Sequence, residues 1–513
     1  MIKKHLLGGA LLVSVLVLLT GCKEMMSSLD NPVSAYFEVT PTQATIVKNQ
    51  TCQIKYSTIS DGKVTFKSSA ENIATVDANG LVTAKTAGTA IITVELAATP
   101  YYQGATKNVE ISVDAVLSID ATEVTVGYGA SINLVKDYHL ARKGDATINY
   151  EIIEGGEFIT LDETTKDITG KACGNAKVKV SVPASATASS DELVIDVKAR
   201  VQDLDQLKKV IAASDDVTAL LSKDFDVTLT ESLDLTGKKV TIKGDEKTPA
   251  IINAKAGIIT TNALTVSNVK FKVDDTFKGN NALIKMNTLP TSGLNDKGCF
   301  EIDNMTFDGV IVENLRIRFF WTNTQAYYIK NFTFSNGKIA VMKYDSTKPS
   351  DKQKNIFDFQ SGGFPQNINI LNSTIYYADT DAAVWQKGNF ISAQSGKKPG
   401  EATSETGIKQ TFTIVGNTLY KICNNVTSCS FREKDKDYQY YVIKDNKVAD
   451  CDKENQFIVG IGQGSIDSKK LANWQASGNI VNWGGKDVYA EENTKCGIDN
   501  ACVPGTVDVS GLK

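Results

Sequence analysis

Three carboxylate pairs are the first candidates for chemistry in this chain: Asp274 with Asp275, Asp379 with Asp381, and Asp435 with Asp437. Neighbouring carboxylates can divide the acid and the base or nucleophile roles in glycoside cleavage, and they can hold calcium. Alternate spacing would put Asp379 and Asp381 on one side of a strand if the strand through Tyr376-Tyr377 continued. The settings argue for solvated turns instead. Asp379-Thr380-Asp381 reads as a loop, and Asp435 and Asp437 alternate with Lys434 and Lys436. We assign no catalytic residue, no metal ligand and no cofactor.

Other nucleophile and metal chemistry is poorly supplied. The two histidines are His5 and His139, which argues against zinc sites built from histidine clusters and against a histidine-based triad. His139, in Asp137-Tyr138-His139-Leu140, reads as a surface loop residue. Gly460, Gly462 and Gly464 are followed by Ser465 where a dinucleotide loop needs glycine. The net charge of −4, with 22% charged residues, gives no reason to expect nucleic-acid binding.

Aromatic residues are the better lead. Phe319-Phe320-Trp321, Tyr327-Tyr328, Tyr376-Tyr377, Trp385, Tyr440-Tyr441, Trp474 and Trp483 crowd the second half of the chain. On a strand, one member of an adjacent pair faces the core and the other faces out. Outward rings aligned along a sheet would make a platform for sugar rings. Trp321, Tyr328, Tyr377 and Trp385 are the candidate carbohydrate-binding residues. Core filling is the competing role, because aromatics dominate cores.

These residues must be positioned by elements that begin with an export signal. Lys3 and Lys4 precede an apolar run from Leu6 to Leu19, which ends in Leu19-Thr20-Gly21-Cys22. This resembles a bacterial lipoprotein signal. The resemblance implies cleavage before Cys22, acylation of that cysteine, and, with Lys23 following, an outer-membrane lipoprotein that faces the periplasm or is exposed at the cell surface. The remaining eight cysteines could form disulfides there, in pairings that sequence cannot assign. Cys52, Cys173 and Cys299 read as structural thiols, Cys52 buried on one face with Ile54 and Tyr56.

Residues 1–21 are thus the signal and 22–34 a lipidated tether. From Tyr36 to Val113 short alternating runs are separated by Asp61-Gly62, Asn79-Gly80 and Ala87-Gly88. This texture fits an all-β sandwich. The run from Ser68 to Val94 resembles the bacterial Ig-like domain, group 2, here bounded at 35–114. A diverged second copy is expected over 115–199, where Ile168 to Val178 echoes the first copy.

At Asp203 the pattern changes. Leu204, Leu207, Val210 and Ile211 recur at helical spacing, and Asp203 can cap that helix. Asparagines then recur in similar hexamers at 268, 304, 331 and 372, and more loosely at 417, 446 and 479, with spacings of 36, 27, 41, 45, 29 and 33. Such periods belong to solenoids, and an asparagine at each coil corner could stack into a structural ladder. A second repeated element runs Ile356 to Gly362, Phe390 to Gly396 and Phe457 to Gly464. The region 200–513 resembles a pectin-lyase-like, right-handed parallel β-helix with an N-terminal capping helix.

The expected fold class is therefore all-β: two Ig-like sandwiches followed by that β-helix. The chain resembles multidomain surface lipoproteins of unknown function from glycan-degrading bacteria. It is expected to be a non-catalytic glycan-binding or adhesive protein, with Ig-like spacers presenting the β-helix. Its expected partners are the membrane, through the lipid, and polysaccharide or other surface proteins. A polysaccharide lyase or glycoside hydrolase, and a purely structural surface protein, are the alternatives.

Overall fold

A computed structural model describes residues 32–185, 190–278, 281–296, 298–323, 325–342, 355–359, 363–378, 390–393, 409–421, 439–449, 474–482 and 502–512. The signal and Cys22 lie outside them. The chain is all-β, with two Ig-like sandwiches followed by a parallel β-helix.

In the first sandwich, alternation along Gly88–Leu96 turns Ala90, Ile92, Val94 and Leu96 inward against Val109, Ile111 and Val113 of Ala105–Asp114. Gln43–Val47 pairs parallel with Ala105–Asp114, and Val64–Ser68 completes the sheet. Gly80 adopts φ 81° at the expected turn, where a Cβ would lie 2.7 Å from the Ile54 carbonyl oxygen. The alternation expected through Cys52, Ile54 and Tyr56 fails. The chain leaves Thr51–Gln53 and joins a different sheet as Lys55–Thr58. Ile54 is buried, Cys52 half-buried and Tyr56 exposed.

The second sandwich repeats the plan. Glu123–Gly127 runs parallel to Asp191–Arg200, which pairs with Gly174–Val182, which pairs in turn with Asn149–Glu154. Lys48 of the first sandwich reaches Asp191 of the second at 2.5 Å. Asp191 also accepts from the Leu117 and Glu192 amides. Burial opposes ionisation of Asp191, but these donors outweigh it and hold the carboxyl below its ordinary range.

Helix Leu204–Ala213 starts as expected, with the Asp203 carboxylate accepting from the Gln206 amide at 2.8 Å. Leu207, Val210 and Ile211 are buried in the same core as Val217, Ala219 and Phe225, closing the apolar end of the solenoid. Beyond it, among the described residues, strands stack into parallel sheets of nine, ten and six. The interior is a column of apolar residues rich in edge-on aromatic contacts, such as Phe307 with Phe319 at 5.1 Å and Phe332 with Phe359 at 5.0 Å.

The asparagine repeat proves to be three separate ladders. Strand register matches Leu264, Met305, Phe332, Ile368, Phe412, Tyr441 and Trp474 in turn. Asn268 and Asn372 occupy a left-handed turn position shared by Gly309, Asn336, Gly416, Asp445 and Gly478, all at positive φ. Asn304 and Asn331 lie on strands, in register with Asn367. Asn417, Asn446 and Asn479 are fully buried one residue past the turn, and each amide is bonded to the next. Two requirements, a left-handed backbone and a buried polar corner, both select asparagine, so sequence spacing merged them.

Candidate functional site

The structure separates the predicted carbohydrate-binding residues. Tyr377 faces the core and is 4% exposed; its neighbour Tyr376 faces outward on Thr374–Tyr377. The aromatic-pair rule holds for Tyr376-Tyr377, but Tyr377 is the inward member. Trp385 lies outside the described residues. Trp321 is on the six-stranded sheet and Tyr328 on the nine-stranded one, so they form no single platform. Phe319 and Phe320 are both fully buried, so alternation breaks at that corner.

Trp321 sits among cations. The Arg318 guanidinium lies 4.4 Å and the Lys285 ammonium 5.5 Å from its ring centre. Arg318 is held by a buried ion pair to Asp358 at 2.5 Å. Burial lowers the Lys285 pKa. A guanidinium over an indole occupies a ring face that a sugar would need. On the ten-stranded sheet, Tyr376 and Tyr420 are in register, and Val507, Val509 and Leu512 of the C-terminal segment pack over this region.

The nine-stranded sheet carries a different surface. Its outward side chains repeat coil after coil: Thr218, Thr241, Thr265, Thr306, Thr333, Asn369 and Thr413 are in register. Adjacent strands lie about 4.8 Å apart, so this column offers one hydroxyl or amide at each such step. A second column is Asn304, Asn331, Asn367 and Thr411. There the Asn331 amide donates to Asn304 Oδ1 at 3.2 Å and the Asn367 amide to Asn331 Oδ1 at 3.0 Å. Those bonds fix the amide orientation.

Tyr328 borders these columns. It packs on Phe364 with ring centres 5.7 Å apart, and its hydroxyl donates to Gln366 Oε1 at 2.6 Å. Burial, then the nearby Glu301 carboxylate, raises its pKa. Lys330 beside it bonds Asp303 at 2.8 Å, which holds the Asp303 carboxyl low and the Lys330 ammonium high. The face is thus an ordered array of hydroxyls and amides, with Tyr328 and the Lys330–Asp303 ion pair among the residues at its edge.

Sequence reasoning missed the threonine column, although its signal was present. The hexamers centred on Asn304 and Asn331 both read Asn-x-Thr-Phe. In each hexamer the threonine is the next outward residue after the asparagine.

Of the three carboxylate pairs, Asp274 with Asp275 lies among the described residues, and its two side chains bond different partners. Asp274 accepts from the Thr276 amide at 2.7 Å, within a turn. Asp275 pairs with Arg316 at 2.7 Å. Asp379, Asp381, Asp435 and Asp437 lie outside the described residues, as do Gly460, Gly462 and Gly464. His139 is exposed and bonds Asp120 at 2.6 Å. Among the described residues no group of three His, Cys, Asp or Glu side chains is placed to hold a metal ion. Among the same residues no helix is long and apolar enough to cross a membrane.

Comparison with known proteins gives two family matches. Residues 35–99 match the bacterial Ig-like domain (group 2), and residues 224–378 match a Domain of unknown function (DUF4957). No curated protein matches the chain. Among solved structures, domains 4 and 5 of the S-layer protein SbsC are similar at 16% identity over 33% of this chain and 99% of that one, with a TM-score of 0.14. Drosophila N-cadherin EC1-3 aligns at 12% identity over 34% and 68%, TM-score 0.16. A SusE-like surface located polysaccharide binding protein from the Bacteroides thetaiotaomicron heparin utilisation locus aligns at 15% identity over 32% and 34%, TM-score 0.18. The chain spans about a third of that protein's length. What the chain carries, then, is a group 2 bacterial Ig-like module joined to a β-helix, part of which matches a domain family of unknown function.

Proposed function

We propose that this chain is a lipid-anchored surface protein that binds an extended polysaccharide without cleaving it. Its Ig-like modules act as spacers for the β-helix. The observation that carries the reading is the in-register column of threonine and asparagine side chains on the nine-stranded sheet, with Tyr328 at its edge. Each hydroxyl or amide can both donate and accept, as can sugar hydroxyls. The columns run along the solenoid axis, so an extended glycan lying parallel to that axis meets the same chemistry at every coil. Tyr328 offers a ring edge or face for one sugar.

The test is a glycan-array screen with the soluble ectodomain, followed by titration of the best ligand. Changing Thr306 and Thr333 together to Val keeps their shape and removes two hydroxyls. It should weaken binding about thirtyfold, at about 1 kcal/mol for each of the two hydrogen bonds. Tyr328→Ala should weaken it further. Unchanged affinity in both variants would overturn the assignment of the face. Release of new sugar ends from acidic or neutral glycans would establish the lyase or hydrolase alternative. The anchor is tested separately: Cys22→Ser should move the protein from the membrane to the soluble fraction, and continued membrane partition would sink the lipid assignment.

A further inference from the structure

Large apolar side chains exposed singly are ordinary on a protein surface. In the first sandwich four of them gather at one end: Val33, Tyr36, Ile59 and Tyr101, which are 59%, 48%, 61% and 56% exposed. Pairing brings them together. Val33 pairs with Tyr102, and its amide donates to the Tyr101 carbonyl at 3.1 Å. Phe37 pairs antiparallel with Thr58, which places Tyr36 opposite Ile59. The Ala97 amide donates to the Lys63 carbonyl at 3.0 Å, tying the chain after Ile59 to the chain before Tyr101.

That same end receives the N-terminal chain. Eleven residue steps separate Cys22 from Val33, a span of at most ~40 Å when fully extended. The patch therefore lies where the tether must hold it close to the anchoring bilayer. Its composition suits the headgroup zone rather than the hydrocarbon. Two of the four residues are tyrosines, which favour membrane interfaces because one end is apolar and the other wet. The exposed neighbours Asp61 and Lys63 carry opposite charges, so no strong field repels either lipid class.

We propose that this apolar end of the first sandwich rests in the interfacial zone of the membrane, giving the chain a second point of attachment beside its lipid. The inference rests on acylation of Cys22. A contact too weak to hold a free protein suffices here, because the tether keeps the patch at high effective concentration. Docking fixes the tilt of the first sandwich and so the direction in which the β-helix projects.

The test uses the full acylated chain in vesicles whose lipids carry bromine in the upper acyl chain. All four native tryptophans lie at position 321 or later, so an indole introduced into the first sandwich reports on that module. Tyr101→Trp places it in the patch. Ile91→Trp places a control on the same sandwich, five residues (~17 Å) along the strand from Leu96. The expected result is a blue-shifted, strongly quenched indole at position 101 and no added quenching at 91. Tyr36→Ser with Ile59→Ser, made in the Tyr101→Trp background, should abolish that quenching while the protein stays on the vesicles. Membrane-bound protein with an unquenched indole at 101 overturns the docking proposal and leaves the anchor standing. Protein in the soluble fraction overturns the anchor, and the proposal with it. A blue shift at 101 that grows with protein concentration and needs no lipid assigns the patch to a second copy of the chain, which also overturns it.

Discussion

Replacing Asn446 by Leu tests how the last coils are held. The two side chains are similar in size, so the change mostly removes hydrogen bonds. The Asn446 amide donates to the Ile414 carbonyl at 2.8 Å and to Asn479 Oδ1 at 2.9 Å. Its oxygen accepts from the main-chain and side-chain amides of Asn417, both at 3.0 Å. Four bonds vanish, and the buried Asn417 main-chain N–H loses the acceptor it has here. At about 1 kcal/mol per bond, with more for a buried orphan, the coil loses about 4–5 kcal/mol. Solenoid stability is roughly a sum over coils and their interfaces, so the loss is local. Backbone hydrogen exchange should therefore accelerate about a thousandfold in Gln410–Val415 and Gln439–Lys444. Strands near the capping helix should be unaffected. The control is Asn372→Gly, at a positive-φ position where neighbouring coils already place glycine, and it should change exchange less than tenfold. An Asn446→Leu effect no larger than the control's would refute the view that the buried ladder holds these coils.

Three further outcomes are expected. Tyr377→Ser, in the core, should destabilise the solenoid by about 3–4 kcal/mol, whereas Tyr376→Ser, facing out, should cost far less; thermal melts of the two decide it. Asp191 has a folded pKa below its unfolded value, so its contribution is present above about pH 4 and is lost as pH falls through the folded pKa; Lys48→Met should shrink that acid-side loss in pH-dependent denaturation. Gly80→Ala should destabilise the first sandwich by about 2 kcal/mol or more in urea titrations, because positive φ and the Ile54 carbonyl both oppose a Cβ.

Much of this fold is legible in the sequence wherever one local rule acts alone. Asp203 and the helical spacing from Leu204 to Ile211 give the cap, because capping and amphipathicity point the same way. Asn79-Gly80 gives a turn for the same reason. The asparagine period marks a solenoid, but its register slips by five residues between 268 and 304 and again between 331 and 372. Insertions between coils hide register from any count of spacings. The site was less legible. Which of two adjacent tyrosines faces out depends on where the strand begins, and the threonine column is visible only once strands are stacked.

The parallel pairing of Gln43–Val47 with Ala105–Asp114, repeated by Glu123–Gly127 with Asp191–Arg200, has a mechanical consequence. In each sandwich one partner lies close after the chain's entry, preceded by Val33–Ser34 and Phe37–Thr40 in the first and by Leu117–Ser118 in the second, and the other is the strand by which the chain leaves. Tension applied across such a module, from its N-terminal to its C-terminal side, would drive the two strands of the pair in opposite directions along their length. The bonds joining the five matched residue pairs in each sandwich are then loaded in shear and must fail together, rather than opening one at a time like a zipper. Under the surface-anchored reading proposed above, flow or drag reaching these modules would be borne by two short, force-bearing clamps, one in each sandwich.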